Sequence, residues 1–325
     1  MENLRKRTET VLKQQSMLFP LWDKVAGVRS RPRRIFAEDN SYCYPIARQP
    51  LCLHKLVSNK GKEVTARILL QTAYKFMHDI AYVEIELINN TALKIYNGII
   101  DLDIPKNTRN DMLSVIIDEA YHAYVAIDFI EQVKNIKKEE LFYPPQTVEL
   151  KLAMNKFLPI VPDPHQGLFE VICICLGENT LTNELFEMTK YEEINPFFRE
   201  VMADHMSDEG RHSSFFRKIL SYVWCWADEE AKDAIGRILP HFVIEYLDSS
   251  MRREWDKKLL SFLNFNDTEI EIIIKDIYPK FSNKSLKKTN PVAKKLLDVL
   301  DSCYIFTHKP TRDAFVSCEL IEPVI

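Results

Sequence analysis

The sequence predicts an all-α protein, and three observations carry that prediction. Only 7 glycines occur, spread singly, whereas hairpin turns and phosphate-cradling loops both draw on more. Strong helix formers fill most segments. Apolar residues recur at helical spacing in four long stretches, bounded by capping residues, glycine or proline. A chain of 325 residues has ample length to bury a core. It reads as one domain overall, with an N-terminal arm and surface helix over 1–62, a four-helix core with a crossover over 63–222, and C-terminal helices packing on the core over 223–325.

Taken in order, 1–17 is a short surface helix. The stretch 28–62 carries Arg31-Pro32-Arg33-Arg34, Pro45 and Pro50, and reads as a wrapping arm whose basic cluster faces solvent. The first long core helix runs over 64–97, closed by Gly98 and by Pro105 a little beyond. The second starts within 107–111, where Asn, Thr and Asp can cap it, and runs to Ile136, before a Lys-Lys-Glu-Glu surface patch and Pro144-Pro145. A shorter helix over 147–158 reads as a crossover. Asp163-Pro164 and Asn195-Pro196 each place a cap before a proline, heading long helices over 165–190 and 196–222. Shorter helices follow over 229–300, with breaks expected at Pro240, 265–267 and Pro279. The end, 303–325, shows no clear periodicity.

Composition narrows the function classes. The chain is 46% hydrophobic and 28% charged with a net charge of −4, which gives no reason to expect a nucleic acid or an acidic membrane surface as partner. Its 7 cysteines form no C-x2-C pair and read as reduced thiols. The first fifteen residues lack the apolar stretch of a signal peptide, and no run of about 18 apolar residues occurs. A soluble, cytoplasmic protein is the expectation.

The chemistry-bearing residues sit on the four long helices. Asp204-His205-Met206-Ser207-Asp208-Glu209-Gly210-Arg211-His212 places His205, Glu209 and His212 at i, i+4 and i+7, one helix face. That face continues through Phe198, Val201 and Met202 on one side and Phe215, Phe216 and Ile219 on the other, so the polar groups point into apolar surroundings. A carboxylate there is costly unless a cation pairs with it. The second long helix carries a matching Glu119-Ala120-Tyr121-His122 on an apolar face.

The helix before each Glu-x-x-His carries a lone inward Glu, Glu178 before Glu209 and Glu84 before Glu119. Glu86 competes with Glu84, but its face holds Asp79, Tyr82, Asn89 and Asn90 and is wetter, so Glu84 is preferred. Two antiparallel hairpins of this kind give the carboxylate-bridged dinuclear site of ferritin-like bundles. Four carboxylates balance two divalent ions, and mixed oxygen and imidazole donors suit iron, with manganese as a possible occupant, better than zinc. Asp118 and Asp208, each just before a motif Glu, are placed to orient a ligating imidazole or to face solvent. His54, His78, His165, His241 and His308 have no comparable neighbours.

The order Glu84, Glu119-x-x-His122, Glu178, His205-x-x-x-Glu209-x-x-His212 resembles the AurF/CmlI-type diiron arylamine N-oxygenases, whose mark is one extra His a turn before the last Glu-x-x-His. The resemblance covers roughly 64–220 and rests on order and spacing. It implies a homodimer in which Glu84, Glu119, Glu178 and Glu209 are carboxylate ligands and His122, His205 and His212 nitrogen ligands to two Fe ions. It further implies oxidation of an amine with O2, through hydroxylamine towards nitroso or nitro, by a peroxo-bridged diferric species. No reductase motif occurs, so an external electron donor is expected. No arginine is identified to hold an aryl carboxylate, and Asp79, five residues before Glu84, would repel one. A cationic or neutral amine is therefore the expected substrate.

Three rival functions share features with this reading. The same ligands serve a C–H hydroxylase, desaturase or oxidative-cleavage enzyme. A radical-generating reductase subunit needs a Tyr one turn after the first Glu-x-x-His, where Ala126 stands, with Tyr121 and Tyr124 off that position. Iron storage needs small subunits.

Overall fold

The helix signals resolve into a bundle whose middle layer is polar. The computed structural model describes residues 2–13, 19–100, 102–278 and 290–323. Among these there is no strand, only an isolated bridge between Tyr42 and Ile194. The N-terminal arm contains α1 (Glu2–Lys13), α2 (Phe19–Val25) and α3 (Gly27–Ser30), then an extended stretch and two single-turn helices, α4 (Pro50–Leu53) and α5 (Lys55–Ser58).

The first core helix is interrupted in a way that apolar spacing did not reveal. It is α-helical over Lys62–Tyr82 (α6), a π-helix over Val83–Asn89, and α-helical again over Asn90–Tyr96 (α7). A π turn holds an extra residue, and here Glu84, Leu87, Ile88 and Asn89 are all buried. The other three core helices are α8 (Lys106–Lys137), α10 (Gln166–Met188) and α11 (Pro196–Trp226), with α9 (Glu149–Phe157) as the crossover.

The expected caps are met at α11, where the Asn195 side chain accepts from the Phe197 N–H at 2.9 Å. They are not met at the other two. Helix α8 is capped at Pro105 without a side-chain bond, because Asn107 and Thr108 donate instead to the Leu12 carbonyl at 3.2 and 3.3 Å and tie down α1. Asp163-Pro164 heads a 3-10 turn, and α10 begins at Gln166.

Three further helices pack on the bundle: α12 (Glu229–Tyr246), α13 (Ser250–Phe262) and α14 (Asp267–Ile277). Pro240 lies inside α12 rather than ending it. Ile235, Leu239, Phe242 and Val243 are fully buried around it. At roughly 1.5–3 kcal/mol each, their burial outweighs the ~3 kcal/mol cost of an interior proline. The break expected at 265–267 is real, and Asn266 and Glu269 form a capping box there. The one expected at Pro279 lies outside the described residues. Helices Pro291–Ser302 and Lys309–Ser317 complete the chain, the latter in the stretch without visible periodicity. Nine residues are too few turns to show a repeat.

Two apolar clusters fill the two ends of the bundle, and every long helix crosses from one to the other. Helix α11 contributes Phe197, Phe198, Val201 and Met202 to one cluster and Phe215, Phe216, Ile219 and Leu220 to the other. Helix α8 contributes Ala126, Phe129, Ile130 and Val133 to the first and Met112 and Val115 to the second. The change falls between 205 and 212 on α11 and between 118 and 122 on α8, so the polar residues form a layer sealed by hydrocarbon above and below. No described helix is long and apolar enough to cross a membrane.

Candidate metal centre

The seven sequence-predicted residues converge on this layer. Glu84, Glu119, Glu178, Glu209 and His212 are fully buried, and His122 and His205 nearly so. Glu86 is exposed, because the π turn aims Glu84 inward and leaves Glu86 outside. Six of the seven form two overlapping groups with donor atoms within 4.8 Å of one another. One is Glu84, His122, His205 and Glu209; the other is Glu119, His122, Glu209 and His212. Glu178 belongs to neither, yet Glu209, Glu119 and His212 are the groups that act on its charge.

Glu209 is the hub. Its Oε1 lies 3.2 Å from His205 Nε2 and 3.4 Å from both His122 Nδ1 and His212 Nδ1. His205 Nε2 is also 2.8 Å from Glu84 Oε1, and His212 Nδ1 is 2.7 Å from Glu119 Oε1. Donor atoms arranged octahedrally about a small divalent ion at ~2.1 Å stand about 3 Å from one another. The observed spacings bracket that edge.

The protein itself does not satisfy these atoms. Both oxygens of Glu84, Glu119 and Glu178, Oε2 of Glu209, and Nδ1 of His122 and His212 have no hydrogen-bond partner. Burial raises the Glu84 carboxyl to about 7 against the pull of His205. It drives Glu178 well above the usual range, with Glu209 and Glu119 adding to the effect. Burial also opposes ionisation of Glu209, but the surrounding imidazoles of His122, His205 and His212 outweigh it and hold Glu209 well below the usual range. An uncompensated buried charge costs several kcal/mol, a large share of the roughly 5–15 kcal/mol by which a native domain is stable, so these carboxylates cannot all stay charged without a partner. Divalent cations remove that cost, and the orphaned oxygen and nitrogen atoms are the donor set they take.

Two of the imidazoles are held from behind, crosswise. His122, on α8, has Nε2 3.1 Å from Asp208 Oδ2 on α11. His212, on α11, has Nε2 3.1 Å from Asp118 Oδ2 on α8. With Nε2–H donated to a carboxylate, each Nδ1 is left as a lone pair facing the cluster. Burial raises the Asp208 carboxyl, but hydrogen bonds from His122 and Arg211 dominate and bring it to about 2. Both aspartates therefore face the imidazoles and not solvent.

Two cavities flank the layer. One, of about 110 Å³, reaches His122, His205 and Asp208 past an apolar wall of Met77, Ala126, Val201 and Met202. Its rim is Arg31, Arg33 and Arg34, the cluster expected to face solvent. Arg33 does, with 55% of its side chain exposed while it chelates Asp128 at 2.9 and 2.7 Å. Arg31 and Arg34 are half-buried instead, because Arg34 chelates Asp204 at 2.7 and 3.1 Å and Arg31 lies 3.2 Å from Asp204. Tyr121 and Tyr124 line the same cavity. The second, of about 190 Å³, lies between Phe76–Val83 and Gly177–Glu184 and is lined by Asp79, Glu149, Glu184 and apolar side chains, with no Arg or Lys. Val83 and Gly177 immediately precede Glu84 and Glu178.

A four-helix bundle that turns two Glu-x-x-His pairs and their partner glutamates into one sealed layer is a ferritin-like protein with a centre able to hold metal. A family model described as P-aminobenzoate N-oxygenase AurF matches residues 30–267, and the chain belongs to that family. It is thus a member of an oxygenase family. The match extends beyond 64–220 to the arginines of the arm and to α12 and α13. Comparison with curated proteins returns no match.

Proposed function

We propose that this protein is a diiron N-oxygenase that oxidises an amine nitrogen with O2, drawing electrons from an external donor. The observation that carries the reading is the pair of overlapping Glu/His groups sharing Glu209 and His122, within a chain that belongs to the AurF family. Glu84, Glu119, Glu178 and Glu209 would hold the two irons together with His122, His205 and His212, and bound iron would supply the activation of O2. The chain's own part is to fix the imidazoles, to exclude water with the two apolar clusters, and to admit the amine.

The second cavity is the proposed substrate site. Its lining includes Val83 and Gly177, next in sequence to Glu84 and Glu178, whose carboxylate oxygens have no hydrogen-bond partner. Its ionisable lining is Asp79, Glu149, Glu184 and the phenol of Tyr246. Lys75 and Arg48 pair with Asp79 and Glu184, and no Arg or Lys stands among the lining residues to receive a substrate carboxylate. An apolar amine, neutral or cationic, fits this chemistry better than p-aminobenzoate. The test is iron reconstitution, exposure to O2 with a donor, and mass analysis of products from matched amines with and without a carboxylate. Hydroxylamine or nitroso products from the amine lacking the acid are expected. Products oxidised only at carbon would replace the reading with a C–H hydroxylase, and preference for the acid would overturn the substrate assignment.

A homodimer is part of the proposal. Leu21, Val25 and Val28 of α2 and α3 and Ile117, Tyr124 and Ile127 of α8 are exposed apolar side chains on elements that pack together. Light scattering should give twice the chain mass, and a monomer would remove the dimer.

A further inference from the structure

The two aspartates behind the imidazoles are themselves held, and the groups that hold them come from outside the bundle. Asp118 Oδ1 accepts from the indole Nε1–H of Trp22 at 2.8 Å. Asp208 accepts from the backbone N–H of Gly27, 3.2 Å from Oδ1 and 3.1 Å from Oδ2. Arg211 stands between the two, its Nη2 2.7 Å from Asp208 Oδ1 and 3.3 Å from Asp118 Oδ2. Both aspartates are 1% exposed, and Trp22 is buried. Trp22 and Gly27 both precede the span 30–267 matched by the family model.

We infer that Trp22 and Gly27 are positioning residues, through which the N-terminal arm fixes the two imidazoles of the proposed diiron centre. The wiring is one to one: Trp22 sets Asp118, which sets His212, and Gly27 sets Asp208, which sets His122. Each aspartate needs its negative charge to keep the imidazole N–H pointed at it. One guanidinium is shared between the two carboxylates, and further acceptor sites are filled by the neutral N–H donors of Trp22 and Gly27. Position 27 has no room for a side chain, since a Cβ there would lie 2.6 Å from Asp208 Oδ2. The carboxylate would have to move, and its bond to His122 would move with it.

This inference rests on the dimetal reading for its purpose, but not for its test. Histidine side chains labelled with nitrogen-15 report hydrogen-bonded imidazole N–H groups in the metal-free protein. Trp22→Phe keeps the ring and removes the donor, and should disturb the His212 signal while sparing His122. Gly27→Ala should disturb His122 while sparing His212. Arg33→Ala, on the same arm but paired with Asp128, serves as control and should change neither. Iron(II) affinity, measured by competition with a chelator, should fall about tenfold in the first two variants and not in the control. Unchanged imidazole signals in both variants, or equal disturbance of both histidines in all three, would overturn the inference. Failure of the wild-type protein to take up iron while the selective disturbances persist would instead overturn the diiron reading and leave the relay standing.

Discussion

The imidazole side and the carboxylate side of the cluster are built on opposite plans. Behind His122 and His212 stand Asp208 and Asp118, then Arg211, Trp22 and Gly27, so each ring is fixed by a chain of hydrogen bonds reaching to the arm. Behind Glu84 and Glu178 there is no such chain: none of the four oxygens has a hydrogen-bond partner, and the close neighbour of Glu84 is His205, itself one of the seven. An imidazole offers one lone pair in one direction and gains from being aimed. A carboxylate can bind through one oxygen or two, and a fixed one could not make room at the metal. The difference is between donors aimed by the protein and donors left for a cation to arrange, and Val83 and Gly177 of the second cavity neighbour the latter in sequence.

The comparison can be broken or sharpened by substitution. Glu209→Ala removes the oxygen that approaches all three imidazoles, so uptake of both ions should be lost, as read by metal analysis after gel filtration. Retention of two ions per chain would show that the groups do not share Glu209. Asp118→Asn keeps the shape behind His212 but removes the charge. Metal affinity should fall by about 10–100-fold in a chelator competition, and an unchanged affinity would mean that the imidazole side needs no aiming. Glu86→Gln should leave metal content and affinity as they are, because Glu86 is exposed. A loss there would place the first ligand on the wrong face of the π turn.

Much of this was legible in the sequence, for identifiable reasons. Helix periodicity and paired Glu-x-x-His spacing are local properties, and they located the four long helices and the residues of the polar layer. The arm was misread. Arg31 and Arg34 look like part of a solvated patch, as Arg33 is, because their partners Asp204 and Glu200 lie far away in sequence. The same distance hid Trp22 and Gly27. Two candidate signals were present, a tryptophan and a glycine in the largely apolar stretch 17–28, but neither announces a partner. Pro240 was read as a break because local rules cannot count the burial on either side of it. The π turn escaped because an α-helical period was assumed throughout, and that assumption also put Asn89 on a wet face when it is 7% exposed.

That turn has a mechanical consequence. Removing any one residue from Val83–Asn89 would let the segment relax to an ordinary α-helix. Because the wide turn itself absorbs the extra residue, the helix beyond it would keep its register, and Thr91, Ala92 and Ile95 would stay against α8. What would change is the direction in which Glu84 is presented. A single-residue deletion after Glu84 should therefore cost metal uptake while leaving the packing of α7 in place, whereas the same deletion inside α7 should unpack it.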